Sequence, residues 1–315
     1  MKLFRRWCEL MDERESPTRL AMVRIAMSVV LLTDLFWVAH YDLVGLLWSP
    51  HEVGGISLIS TWGDASPMAY SFFGDAAAAW IFGAVVVSAL FFGAGLFTRA
   101  ACAVLLLTYA QLGGMNISSD RGIDMVFRAI LVILFFSRCG QTWSLDAYRR
   151  SGSFVDESAA PAWPRYLIIV QVVWIYFTAG LHKTQSAWWP AGDFSALWRI
   201  LHDPHFARFD LGDATWFYPI TQLGTLGTML FEIGAPIFLL SLFYRRSAER
   251  GGRLRTWFNR LRVREAWLFL GISFHLGLVF TMRLGIFPLG MLALYPVFAN
   301  SPRLVAKEES VVPSV

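Results

Sequence analysis

The sequence predicts an all-α, polytopic membrane protein with about eight transmembrane helices and an interfacial helix on its outer face. Three observations carry that prediction. Charge is scarce: of 315 residues, 16% are Asp, Glu, Lys or Arg and 56% are hydrophobic, whereas soluble domains carry about 25% charged residues. The apolar residues gather in runs near the ~20 residues a helix needs to cross hydrocarbon. Between those runs the basic residues fall unevenly on alternate sides. A nucleic-acid binder is excluded, because the arginines lie between apolar runs rather than along one basic surface.

The runs fall at about 20–40, 76–96, 100–114, 122–138, 165–182, 221–243, 266–282 and 286–299. The third, fourth and last are short, which calls for tilting or partial re-entry and leaves the count open by one or two. Of the 27 lysines and arginines, Arg24 and Arg128 lie within runs. With the N-terminus inside, five face outward (Arg121, Lys183, Arg199, Arg208, Arg283) and the remaining twenty face the cytoplasm. This asymmetry places both termini in the cytoplasm and Lys183 near the outer face, with a bacterial inner membrane as the expected location.

The opening "MKLFRRW" is basic, but the apolar run begins only near Leu20. The expectation is a retained first span rather than a cleaved signal. Two outer loops are long, about 41–75 and 183–220. The second, with "WWPAGDFSALWRILHDPHFARFDLGDATWFYP", has the aromatic spacing of a helix lying at the interface. On the inner side, "RRSAERGGRLRTWFNRLRVREA" reads as a basic interfacial helix that anchors topology on anionic lipid. No internal repeat appears. The whole chain, 1–315, is expected to be one membrane domain with its core at about 16–303 and a disordered tail at 304–315. Cys8, Cys102 and Cys139 form no CxxC pair, and Cys102 reads as a packing residue.

Ionisable groups inside spans are costly and stand as functional candidates. Arg24 lies near the inner end of the first run, close enough to snorkel to water. Asp34 is deeper. Asp124 and Arg128 are four apart on the fourth run, spaced for a structural ion pair. Glu232, beside Gly234 and Pro236, sits where the proline is expected to bend the helix. His275 is mid-span, and hydrogen bonding to a neighbouring helix would account for it as well as chemistry would. Asp34, Arg128, Glu232 and His275 are expected to face one internal cavity. His202 and His205 lack an evident third ligand, so no metal is expected.

Lys183 is singled out by exclusion. The chain has three lysines, and Lys2 and Lys307 lie near the termini. An interfacial anchor beside Trp188 and Trp189 needs only a cation, which arginine supplies everywhere else in this chain. Lysine can do what arginine cannot: a desolvated amine can give up its proton and serve as a base or nucleophile. Both readings stand at this level, and the catalytic one requires that carboxylates be kept away or protonated.

Several segments resemble one family. "SPTRLAMVRIAMSVVLLTDL" is similar to the opening signature of the horizontally transferred transmembrane (HTTM) domain family, which includes the vitamin K-dependent γ-glutamyl carboxylases; Arg24 and Asp34 match its arginine and aspartate. "TWSLDAYRR" resembles its cytoplasmic turn, and "YFTAGLHKTQSAWWPAG" the carboxylase segment holding the proposed catalytic lysine, here Lys183, with His182 replacing a second lysine. "FHLGLVFTMRLGIFPLGMLALYPVF" resembles its late span pair with a histidine at His275, and Glu232 matches an acidic position. Two departures stand out. The carboxylases continue into a β-rich region that this sequence is not expected to have. Their histidine near the outer end of the fourth span has no counterpart in "SSDRGIDMVFR", where Asp124 occupies the neighbourhood.

The resemblance implies a quinol-dependent enzyme of the carbon–carbon lyase class, with Lys183, His275 and Glu232 as catalytic candidates. Arg24, Asp34, Asp124, Arg128 and His182 would line the cavity or serve structure. The implied cofactor is a reduced quinone of the vitamin K or menaquinol type, with O2 and CO2. In the carboxylases the neutral lysine takes a proton from the hydroquinone, oxygen adds, the resulting strong base removes a glutamate γ-proton, and CO2 captures the carbanion. The substrate would be an exported peptide or small molecule, presented with or without a separate soluble subunit. Two alternatives remain open: a non-catalytic membrane partner for maturation or export of a secreted peptide, and a small-molecule transporter, which the absence of an inverted repeat disfavours.

Overall fold

The computed structural model describes residues 11–57 and 68–299. Cys8, Lys2, Lys307, the expected tail and the middle of the first outer loop lie outside them. The described chain is mostly helical, and every apolar run is helical. The main helices are α1 (Thr18–His40), α2 (Ala77–Ala94), α3 (Thr98–Met115), α4 (Gly122–Phe136), α5 (Leu145–Ser151), α6 (Trp163–Leu181), α7 (Ala196–Leu201), α8 (Tyr218–Ile233), α9 (Ala235–Arg246), α10 (Arg253–Arg260), α11 (Val263–Thr281) and α12 (Phe287–Ala293). Four helices are long and apolar enough to cross a membrane, and a fifth if the pair α8–α9, bent by 53°, counts as one span. The bend falls at Gly234 with Pro236 just inside α9, where proline's missing N–H costs the helix nothing.

The helices group into two compact units, one reaching Ile168 and resuming at Ala293, the other covering Ile169–Leu292. In the first, α2 lies along α1 and α3, α4 packs on α3 and α1, and the turn Tyr295–Phe298 returns to α1. Small residues make the close approaches: Ala77, Ala78, Ala89 and Ala101 are buried, as expected where van der Waals fit rather than water exclusion drives association. A two-stranded antiparallel pair, Arg14–Glu15 with Ala160–Pro161, joins the start of α1 to the start of α6. Beside it, Arg165 Nε bonds both Glu15 oxygens at 2.7 and 2.9 Å. In the second unit α8 packs on α7 and α11, and α9 on α10 and α11.

The α2–α3 and α4–α5 corners form one knot that explains the "TWSLDAYRR" segment. Gly95 ends α2 at φ +69°, and a Cβ there would lie 2.3 Å from Ser144 Cβ, so conformation and space both require glycine. Ser144 accepts from Ala147 N–H as the N-cap of α5. Asp146 accepts from Phe97 N–H, Thr98 N–H and Thr98 Oγ1–H at 2.7–2.9 Å, capping α3 from 48–49 residues away. Arg24 does not snorkel. It is fully buried and donates to the carbonyls of Cys139, at 2.6 Å, and Trp143.

Burial alone would raise the Asp146 carboxyl, but the three hydrogen bonds outweigh it and hold its pKa below the ordinary value. A lowered folded-state pKa stabilises the fold above the unfolded value near ~3.9 and is lost as pH falls through the folded one. Asp146→Asn is therefore expected to flatten the acid limb of the melting temperature between about pH 5 and 3, measured in detergent on the full chain.

The expected outer interfacial helix is shorter than its aromatic spacing suggested. Residues 183–217 hold α7, six residues long, and single turns at Ser186–Trp188, Pro190–Gly192 and Thr215–Phe217, ahead of the start of α8. Pro190, Gly192, Pro204 and Gly212 interrupt any longer helix. The expected basic helix is present over part of its stretch as α10, with Leu254 and Trp257 exposed on it.

Candidate functional site

Tyr176, Gly180 and Lys183 follow at i, i+4 and i+7 and so form one stripe along α6 and just past its end. Each meets a different partner in the second unit. Tyr176 Oη lies 2.5 Å from His275 Nε2 on α11. Gly180 receives α8 at its bend: a Cβ would come within 2.8 Å of Ile233 Cγ1, 2.9 Å of Ile233 N and 3.1 Å of Glu232 Cβ. Lys183 Nζ donates to Glu232 Oε2 in a short ion pair. The Trp188 ring lies 4.9 Å from that ammonium, placed for a cation–π contact, and Trp189 Nε1 donates to the Lys183 carbonyl at 2.9 Å.

Of the two conditions set for a catalytic Lys183, a distant carboxylate is not met, because Glu232 lies in contact. Gly180 lets α8 come close, and a half-buried ammonium without a counter-ion would be costly, so Glu232 pairs with it directly. The pair is not sealed: the Lys183 side chain keeps 18% of its surface and Glu232 7%. Together they form a largely buried ion pair that keeps some exposed surface.

His275 is fully buried within rings of Tyr176, Phe274 and Phe287. Phe231, next to Glu232, stacks on Trp267 and meets Tyr176 edge-on. Gly180→Ala is expected to push α8 away, break the Lys183–Glu232 contact and cost about 1–3 kcal/mol by overpacking. Thermal unfolding of the detergent-solubilised chain measures this. The same small-residue logic holds for Gly224, whose Cβ would lie 2.6 Å from Leu197 Cδ2, but a Cβ on Gly227 meets nothing.

The first unit holds a second group of ion pairs. Arg121 bonds Asp34 through both terminal nitrogens, at 3.0 and 2.6 Å, and Asp124 through Nε and Nη2 at 3.0 Å. Tyr109 Oη donates to Asp124 at 2.5 Å. Asp124 and Arg128, expected to pair with each other, do not. Asp124 is in the first turn of α4 and accepts from the Arg121 N–H, while Arg128 reaches back along the helix to both Asp120 oxygens at 2.7 and 2.6 Å. Helical side chains lean toward the N-terminus, which favours both choices. Asp34 and Arg128 therefore belong to the first unit, Glu232 and His275 to the second, each satisfied locally.

His182 is exposed, with Nδ1 2.7 Å from the Thr178 carbonyl. His205 contacts Asp203 in the outer loop, and no group of three or more His, Cys, Asp or Glu side chains suited to a metal occurs among the described residues. Sequence reasoning passed over Tyr176, Tyr109, Asp120 and the role of Arg121. Tyr176 had a signal, its spacing from Gly180 and Lys183. The Arg121–Asp34 pair had none, because 87 residues separate the partners.

The HTTM domain matches residues 14–249, three quarters of the chain and all of the site except His275. No curated protein and no solved structure matches.

Proposed function

The chain belongs to the HTTM domain family, and from that premise we propose that it is a carboxylase-like membrane enzyme in which the Lys183–Glu232 pair accepts a phenolic proton from a reduced quinone. The observation that carries this reading is the pair itself: an amine, among a chain otherwise built on arginine, set against a buried carboxylate under an indole face. The donor set fits a hydroquinone. Lys183 Nζ is a reachable base, and Trp188 offers a flat ring beside it. When bound, the quinol would supply a phenolic proton and two electrons.

The proton inventory balances. At rest the pair holds one proton between amine and carboxylate. Lys183 takes the second while Glu232 keeps the first, which leaves one positive charge facing the oxygen that gave up its proton. The Trp188–Trp189 turn limits water at that point, and a less solvated charge pair interacts more strongly. A shallow basin of about 660 Å³ in the same unit has Asp193, Trp198, Arg199 and Tyr218 on its walls and is a candidate docking place for a polar substrate.

The test uses full-length protein in vesicles with menaquinol or vitamin K hydroquinone, bicarbonate and air. Quinol loss above that of empty vesicles is the expected result, and no loss above that background would overturn the reading. A second reading draws on the same pair. Glu232 already neutralises Lys183, which is what a static anchor would show, so a non-catalytic partner for maturation of an exported peptide becomes the better account if no turnover is seen.

We further propose that all eight helical runs span the membrane with both termini inside. α3 and α4, of 18 and 15 residues, are about 27 and 22 Å long and would span by local thinning of the bilayer. A reporter fused after Val315 should read as cytoplasmic and one inserted near Gly63 as external. The opposite result at either site would refute this topology.

A further inference from the structure

We propose that the first unit carries a specific site for an anionic phospholipid headgroup, in the cleft between the start of α3, the end of α4 and the loop following α5. The cleft has a volume of about 350 Å³, and its lining includes Arg99, Arg138, Arg150, Gln141, Asp146 and Asp156. Arg99 and Arg138 are exposed and make no ion pair among the described residues. Arg150 is held by the Gln141 carbonyl at 3.0 Å and so points one guanidinium inward.

The two carboxylates offset part of this charge, and three guanidiniums against them leave the cleft net positive. Asp146 is engaged by the α3 cap, and Asp156 accepts from Ser158 N–H and Oγ–H. Gln141 is buried; its Nε2 donates to Ser158, and its Oε1 has no hydrogen-bond partner. Three guanidiniums on one cleft between helix ends suit the phosphate ester of an anionic lipid, here taken as phosphatidylglycerol.

The surroundings select a lipid over a free phosphate. Phe97, Phe136, Trp143 and Tyr148 are all exposed around the cleft, and Arg149 lies over the Phe97 ring at 4.6 Å. Exposed aromatics mixed with arginines mark the headgroup level of a bilayer, and basic pockets between helix ends on the inner side are where such headgroups are read. The acyl chains would run along Phe135 and Phe136.

The experiment measures lipid retained by the full-length protein and its melting temperature in nanodiscs of phosphatidylcholine with and without one-fifth phosphatidylglycerol. Wild type should retain phosphatidylglycerol over phosphatidylcholine and melt higher in its presence. Arg99→Gln/Arg138→Gln should lose about tenfold in that preference, while melting as wild type does in phosphatidylcholine alone. Arg253→Gln/Arg260→Gln, on α10, should keep it. Equal retention by the two double variants would overturn the site, and so would a loss of melting temperature in phosphatidylcholine matching that in phosphatidylglycerol. Stabilisation by inorganic phosphate alone would overturn the lipid assignment.

Discussion

Lys183→Arg is expected to give a folded, membrane-inserted protein whose quinol turnover falls by about 10²–10⁴-fold, the usual weight of a positioned base. The geometry makes this replacement clean. A guanidinium can still pair with Glu232 and still lie against Trp188, so its melting temperature should stay close to that of wild type. What it cannot do is release a proton near neutral pH. Glu232→Gln separates the two halves of the pair: it leaves the lysine amine but removes the group that holds the first proton, and turnover should fall as well. If Lys183→Arg turns over at the wild-type rate, Lys183 is an anchor and the base of the reaction lies elsewhere.

Arg24→Ala is expected to produce the largest loss of stability in the first unit, roughly 3–5 kcal/mol. Two buried carbonyls, of Cys139 and Trp143, would lose their donor, at about 1–3 kcal/mol each, and the space of a fully buried side chain would be left empty. Arg24→Lys should recover only part, since one ammonium on a flexible stem does not span two fixed carbonyls as a planar fork does. Thermal unfolding in detergent reads both. An Arg24→Ala protein that melts with wild type would show that the knot around Trp143, Ser144 and Asp146 holds without it.

These two residues were visible in the sequence in different degrees. Lys183 stood out through arginine bias, and Gly180 and Trp188 flanked it in the segment that resembles the carboxylases. That Glu232 is its partner was not legible. The contact depends on a bend at Gly234 and on a Cβ missing at Gly180, and only packing brings residues 49 apart together. Arg24 looked like a residue near a water interface, whereas the return of the 139–143 loop over α1 seals it inside.

The sequence by itself determined the helices, because apolar periodicity and length act locally and every apolar run is helical. It also determined which loops carry the arginines, since each loop keeps its charge wherever it packs. Tertiary structure alone decided which charges meet. Asp124 turned to Arg121 rather than Arg128, Asp34 found Arg121, and Glu232 found Lys183. The physical reason is that a charge buried in a low-dielectric interior must find an opposite charge or hydrogen bonds. The nearest suitable group is set by how helices approach, and sequence spacing fixes that only within one helix.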